Sequence, residues 1–347
     1  MKSTIKLILT LLITMLGYIG SVSAQQTDSV KRLIDTVLAF GKKNSLYRDQ
    51  VNWQKLEDSV RFKAATAKTI KQALPAVKLL YQLLGDHHGF ITFEKKYYGW
   101  RKNEQPLDQA IHAALIKKMK DSYQLKKEML EKRYGYLMIP DNNPTRPGDV
   151  NKIARQIRDS LAALDLNRIK GLVIDLRLNP GGDMFAMIGG LTNLFDNGKL
   201  GSFVYPGTGK EETWGVVSSN GDDKVYGGTD TSCVVKRRGK SLANLKVVVL
   251  VGPNTASSGE ALAISFKGRK NTLFIGENTS GYTTANDSFQ FTNEIGVFMA
   301  TSVEADRNGK IYLDHVEPDQ KIVGGDDFDQ LKNDKKIIAA LKWLKNK

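Results

Sequence analysis

Apolar positions follow two patterns along this 347-residue chain. From about residue 25 to 85 they recur at helical spacing, as Val30, Leu33, Ile34, Val37, Leu38 and Phe40, and again through AATAKTIKQALPAVKLLYQLL (64–84). Pro75 is expected to kink that second helix or to start its second half, and Gly85 to stop it. From residue 134 the pattern changes to short unbroken runs. YGYLMIP (134–140), GLVIDL (171–176), VVVLV (247–251) and LFIGE (273–277) read as strands, and the run at 247–251 reads as buried on both faces. Residues 150–164, with Ile153, Ile157 and Leu161 in phase, predict an amphipathic helix, and 184–195 reads as a helix. Residues 104–133 are basic and are expected to be helical. Residues 199–240 read as hairpins and loops covering one end of the sheet. FQFTNEIGVFMATSVEA (289–305) reads as an antiparallel pair turning near Glu294, and 329–344 as a closing helix. Strand and helix alternating in the later two-thirds predict an α/β (α+β) domain behind a helical one.

The run at 247–251 is followed by the stretch that organises the rest. LKVVVLVGPNTASSGEALA (245–263) is a buried strand, a break at Gly252-Pro253, and a helix with two serines in its first turn. Ser257 or Ser258 there lies beside unpaired N–H groups and the positive end of the helix dipole, which suits a nucleophile whose reaction builds an oxyanion. A plain helix cap is the competing reading. The stretch is neither a Walker A loop nor a GxSxG elbow. RLNPGGD (177–183) ends another strand. Its Gly181 and Gly182 allow close backbone approach and offer an N–H to an oxyanion, or else form only a tight turn. LLGDHHGF (83–90) places His87 and His88, two of only four histidines, in a turn. Adjacent histidines point different ways, which argues against a metal pair, while a single imidazole serves as a general base.

Composition sets the compartment. With 41% apolar and 25% charged residues the chain is globular, and its length suits about two domains. Lys2 and Lys6, an apolar run at 7–19 and Ser-Val-Ser-Ala at 21–24 read as a secretory leader, with cleavage expected after Ala24. Cleavage lowers the formal charge from +14 to +12. No cysteine follows the leader, so no lipid anchor is expected. The single cysteine, Cys233, allows no internal disulfide and reads as a small buried apolar residue. An exported chain rarely meets nucleic acid. The positive charge points to a solvated face, to an anionic envelope surface or to an acidic partner. No signature of a metal, nucleotide, haem or other cofactor is present.

Six stretches, LLGDHHGF, GYLMIP, GLVIDLRLNPGGD, VVVLVGPNTASSGEALA, LFIGENTSGY and HVEPDQKI, resemble in order the motifs of one family. It is that of the tail-specific, or carboxyl-terminal processing, serine proteases, with the tricorn core protease and the interphotoreceptor retinoid-binding protein as relatives. The resemblance spans residues 83–323. Behind the leader (1–24), it implies a helical domain carrying the histidine motif (25–133) and a ClpP/crotonase-like ββα peptidase core (134–347). It also implies hydrolysis of a peptide or protein substrate. Ser257 matches the nucleophile, Ser258 with Gly181 or Gly182 the oxyanion hole, and Glu260 a supporting acid. Two departures stand out. The loop NTSGYTT carries Tyr282 where the processing branch has its lysine, so a Ser–Lys dyad is not available. The tricorn branch takes a histidine from before the core, a role that His88 fits, with His87 as rival. That branch orients its histidine with a late Glu, for which Glu317 is the nearest candidate and Asp314 and Glu304 are rivals. Residues 89–133 are also too few for a PDZ module. The expectation is an exported, PDZ-less serine peptidase without cofactor, its oligomeric state open. The alternatives are an inactive relative that binds a peptide or small apolar ligand, and an envelope assembly factor.

Overall fold

A computed structural model describes residues 28–101, 106–121 and 123–346 of the chain, so the leader expected at 1–24 lies outside the described residues. The chain folds as two compact units. Of the described residues, one unit holds 28–101 together with 286–301, and the other holds 106–121, 123–285 and 302–346. The boundary expected near 133 is corrected by this division. Residues 104–133 are not one basic helix. A helix, Gln109–Lys120, is followed by a strand, Lys126–Leu130, that pairs antiparallel with Tyr134–Met138. Leu115 and Leu130 bury themselves in the core of the second unit, which is why the segment belongs there.

The first unit packs helices at 28–44, Trp53–Ala64 and Ile70–Leu84 around Leu33, Val37, Val60, Val77, Leu80 and Tyr81. Asn52 and Thr69 cap the second and third helices by accepting from Lys55 and Gln72 N–H. The third helix runs on through Pro75 and stops at Gly85, which takes the left-handed φ of 79°. A hairpin, Phe90–Phe93 with Lys96–Gly99, pairs with the first half of the long strand Ile295–Asp306. Ile295, Val297 and Met299 complete this core.

The second unit is α/β and layered. Its central sheet runs in the order Gln320–Lys321, Thr272–Gly276, Val247–Val251, Gly171–Asp175, Tyr134–Met138, Lys126–Leu130, parallel except for the last pair. All residues of the strands at 134–138, 171–175 and 247–251 are buried, as their unbroken apolar runs require. Residues 199–240 do not cap one end of this sheet. They form an antiparallel meander of their own, Gly198–Tyr205, Lys210–Ser219, Asp222–Gly227 and Asp230–Lys236, bordered by the second half of Ile295–Asp306. The helix Ser258–Phe266 lies in the shared core, buried on all sides from Gly259 onward, and Ser265 Oγ accepts the indole N–H of buried Trp214 at 2.9 Å. Cys233 is buried there too, and burial pushes its thiol up to about 12. No helix among the described residues is long and apolar enough to cross a membrane.

One charge network fastens this unit. Arg177 is 1% exposed and meets Asp175 at 2.6 Å, Asp326 at 2.7 Å and Asp334 at 2.7 Å, its guanidinium lying over the Phe328 ring. Buried Lys336 adds Asp326 at 2.8 Å and Glu277 at 3.1 Å, and His112 Nε2 reaches Glu277 at 2.8 Å. The network joins the exits of two central strands to the helices Gln109–Lys120 and Lys335–Lys345. Arg177→Met would leave three buried carboxylates without their shared cation. A destabilisation of about 3–5 kcal/mol is expected, read as a lower urea midpoint, and an unchanged midpoint would refute it.

Candidate active site

The strand Val247–Val251 ends in a turn held from several sides. Thr255 is fully buried. Its hydroxyl accepts Gly252 N–H at 3.1 Å and donates to Leu176 O at 2.8 Å, while Ala256 N–H donates to Asn179 O at 3.0 Å. The turn is thus strapped to the exit of the neighbouring strand, Gly171–Asp175. Ser257 comes next, at φ 51° and ψ −123°, and the helix begins at Ser258. For a residue with a Cβ this conformation costs of order 1–3 kcal/mol and persists only where the surroundings impose it.

The Gly-Gly turn lies against it. Gly181 and Gly182 have φ of 125° and 113°, accessible to glycine alone. A Cβ on Gly181 would stand 3.1 Å from Ser257 Cβ, and one on Gly182 would strike Asn142 O at 1.7 Å. Ser258 Oγ donates to Gly182 O at 2.7 Å. The structure therefore brings Ser257, Ser258, Gly181 and Gly182 together. Their N–H groups are not equivalent. Gly181 N–H donates to Asn179 Oδ1 at 3.0 Å, whereas Gly182 N–H makes no hydrogen bond among the described residues. Buried Asn179 also donates to Ile139 O at 3.1 Å and Pro140 O at 3.2 Å. Beyond it, Asn142 exchanges side-chain hydrogen bonds with the backbone of Asp183 at 3.2 and 3.3 Å. Asn142 also borders a cavity of about 680 Å³ whose walls mix apolar side chains such as Leu125, Ile139 and Ile153 with polar ones such as Gln124, Asp141 and Gln156.

Beneath the serine lies Glu260, fully buried. Its carboxylate accepts Ser257 N–H at 2.8 Å, Tyr282 N–H at 2.8 Å, Gly281 N–H at 2.9 Å and the Thr279 hydroxyl. Burial pushes it up to about 7, opposed by these four donors. Glu304, also buried, has its carboxyl held well above the usual range by burial and by Glu260.

His88 lies in the first unit, in a turn built on Asp86. That buried carboxylate accepts His88 N–H at 3.1 Å, Gly89 N–H at 2.7 Å and Ala300 N–H at 3.0 Å, and burial raises its pKa. A Cβ on Gly89 would meet Asp86 Oδ2 at 2.5 Å, so the GDHHG string is what lets the turn close. His88 is itself buried, and its carbonyl accepts from Asn286 Nδ2 at 3.3 Å. His87 is half-buried and its carbonyl accepts from Arg101. Glu317 does not join the serine cluster. Its carboxylate is exposed and lies 3.5 Å from His315 Nε2, with exposed Asp314 at 3.3 Å from the other ring nitrogen. Sequence reasoning did not find the straps at Thr255 and Asn179, the turn-building role of Asp86, or the Glu260–Glu304 pairing. The Asp of GDHHG and the Asn of NPGG were the available signals for two of them.

Known proteins share this arrangement of segments. Residues 133–322 match peptidase family S41. Over 304 residues the chain is 25% identical to the nisin-resistance protein of Lactococcus lactis subsp. lactis, covering 87% of this chain and 82% of that one. Over 233 residues it is 24% identical to the carboxy-terminal processing protease CtpA of Bacillus subtilis (strain 168), covering 62% of this chain but only 44% of that protein. Among solved structures, a lipoprotein from Streptococcus agalactiae superposes with a TM-score of 0.68 at 21% identity, covering 91% of this chain and 96% of that one, which shows a common fold. The family match contains both the Gly-Gly turn and the serine elbow, and the chain belongs to peptidase family S41 as a serine-type peptidase.

Proposed function

We propose that this chain is an exported peptidase that cleaves peptide bonds with Ser257 as nucleophile and His88 as general base. The observation that carries the reading is Ser257 itself, a non-glycine residue at φ 51° where a buried strand meets a helix, packed on a Gly-Gly turn. In this mechanism Ser257 Oγ attacks the scissile carbonyl carbon and its proton passes to the His88 imidazole. The C–N bond breaks as that proton moves to the leaving amine, and water then hydrolyses the acyl ester by the same route. Gly182 and Ser258 supply N–H groups to the oxyanion. Gly181, whose N–H is engaged by Asn179, serves as the close-packed floor. His88 is supported by the family order of its motif and by the turn that Asp86 builds around it. The cavity beside Asn142 adjoins the Gly-Gly turn, and its size and mixed polar and apolar walls suit a stretch of substrate peptide. Export is supported by the leader pattern before Gln25 and by the relative described as a lipoprotein.

A fluorophosphonate probe tests the assignment without a known substrate. Peptide mapping is expected to place the label on Ser257, with none on Ser257→Ala and a rate at least about 10²-fold lower for His88→Ala. Failure of the folded wild-type protein to react beside a reactive control hydrolase would favour the ligand-binding alternative. Gly181→Ala, which presses a methyl group on the Ser257 side chain, is expected to slow labelling by about 10²-fold, the scale of a damaged oxyanion site. A Gly181→Ala rate equal to wild type would remove the close-packing argument.

A further inference from the structure

We propose that Glu304 is a positioning residue: it and Glu260 share a single proton, which resides on Glu304 and leaves Glu260 ionised to hold the Ser257 turn. The inference rests on the reading of Ser257 as nucleophile for its catalytic consequence, though not for the proton's place. Glu304 lies on the strand Ile295–Asp306, opposite Phe203 on one neighbouring strand and Tyr312 on the other. It is 3% exposed, and its Oε2 has no hydrogen-bond partner. Its backbone N–H donates to Thr283 O at 3.1 Å, beside the Gly281 and Tyr282 N–H groups that hold Glu260, and burial together with the Glu260 charge pushes its carboxyl well above the usual range.

Neither carboxyl has a cation. No Lys, Arg or His among the described residues forms an ion pair with Glu260 or Glu304. The remaining titratable neighbours on the strand side are already engaged with one another. Asp306 accepts from Asn308 N–H at 2.8 Å, Lys310 N–H at 3.1 Å and the Tyr312 hydroxyl at 3.1 Å. Two buried carboxyl groups in such a place cannot both be charged. The donors decide which one is. Four point at Glu260 and stabilise its carboxylate, and a proton there would turn one oxygen from acceptor into donor against them. Nothing comparable faces Glu304 Oε2, so the neutral acid is the cheaper form on that side. While Glu304 stays neutral, Glu260 keeps the charge that fixes Ser257 N–H and the loop at 279–282. A second charge would push the pair apart and loosen the elbow.

Glu304 keeps its proton in the folded state at a pH where the unfolded chain has lost it. Stability from this site is therefore present below the unfolded value of about 4.3 and lost as pH rises through the folded value. Three readouts on the full chain test the proposal. Infrared difference spectra of wild type minus Glu304→Gln at pH 7 are expected to show the carbonyl band of a protonated carboxylic acid. Urea midpoints from pH 5 to 9 are expected to fall more steeply for wild type than for Glu304→Gln, by about one proton's worth of slope. Fluorophosphonate labelling of Ser257 is expected to lose rate on the alkaline side in wild type and to keep it in the variant. Glu304→Met, similar in volume and unable to titrate, substitutes if the amide variant does not fold. No carboxylic band and matching pH slopes would overturn the proposal. A carboxylic band with no labelling of Ser257 in any variant would support the proton's place and overturn the nucleophile instead.

Discussion

The site depends on one local constraint, a residue with a side chain held at positive φ where a buried strand turns into a buried helix. Ser257 does not hold itself there. Ala256 before it is bonded to Asn179, Thr255 is bonded to the neighbouring strand's exit, and its own N–H is held by Glu260 three residues on. Each strap starts from an element whose position the central sheet fixes. A strain of order 1–3 kcal/mol is tolerable on such a frame and would relax on a loop.

That frame contains two opposite ways of burying charge. Around Arg177 and Lys336, carboxylates are matched by cations at 2.6–3.1 Å. Such networks add little net stability over a well-packed apolar core but are costly to break from one side, so they fix which partner sits where. Around Glu260 the charge is met by N–H and O–H dipoles alone. Dipoles from three separate residues of one loop and from Ser257 can converge on a carboxylate only if the loop and the elbow hold their places together. The arrangement therefore couples the loop at 279–282 to the geometry of the serine.

Local signals made much of this legible. Unbroken runs such as VVVLV and GLVID announced strands buried on both faces, and glycines marked the turns where a Cβ would collide. The serine and Gly-Gly turns lie against each other, with the Gly181 Cβ position 3.1 Å from Ser257 Cβ. What escaped was non-local. KKEML is a charged edge strand whose alternation is too short to distinguish from a basic helix. The hairpin residues 286–301 belong to a core assembled some 200 residues earlier, so no boundary shows in composition. Glu304 drew notice only as a rival for the acid that orients the histidine, because its burial comes from strands paired on either side of it, at Phe203 and Tyr312, rather than from its sequence neighbours. Glu317 was named from its motif alone, and its loop leaves the carboxylate in solvent beside His315.

The loop that departs most from the processing branch shows how the elbow tolerates the change. NTSGYTT carries Tyr282 in place of a lysine, yet it still gives Glu260 three donors. Two of those are the backbone N–H groups of Gly281 and Tyr282, which any residue but proline supplies. Only Thr279 contributes through its side chain. The scaffolding duty of the loop is therefore separable from the side chain at 282. Exchange of a lysine there leaves the anchoring of Glu260, and through it of Ser257, intact. The anchoring of the serine turn therefore does not depend on which side chain occupies position 282, because the donors it uses there belong to the backbone.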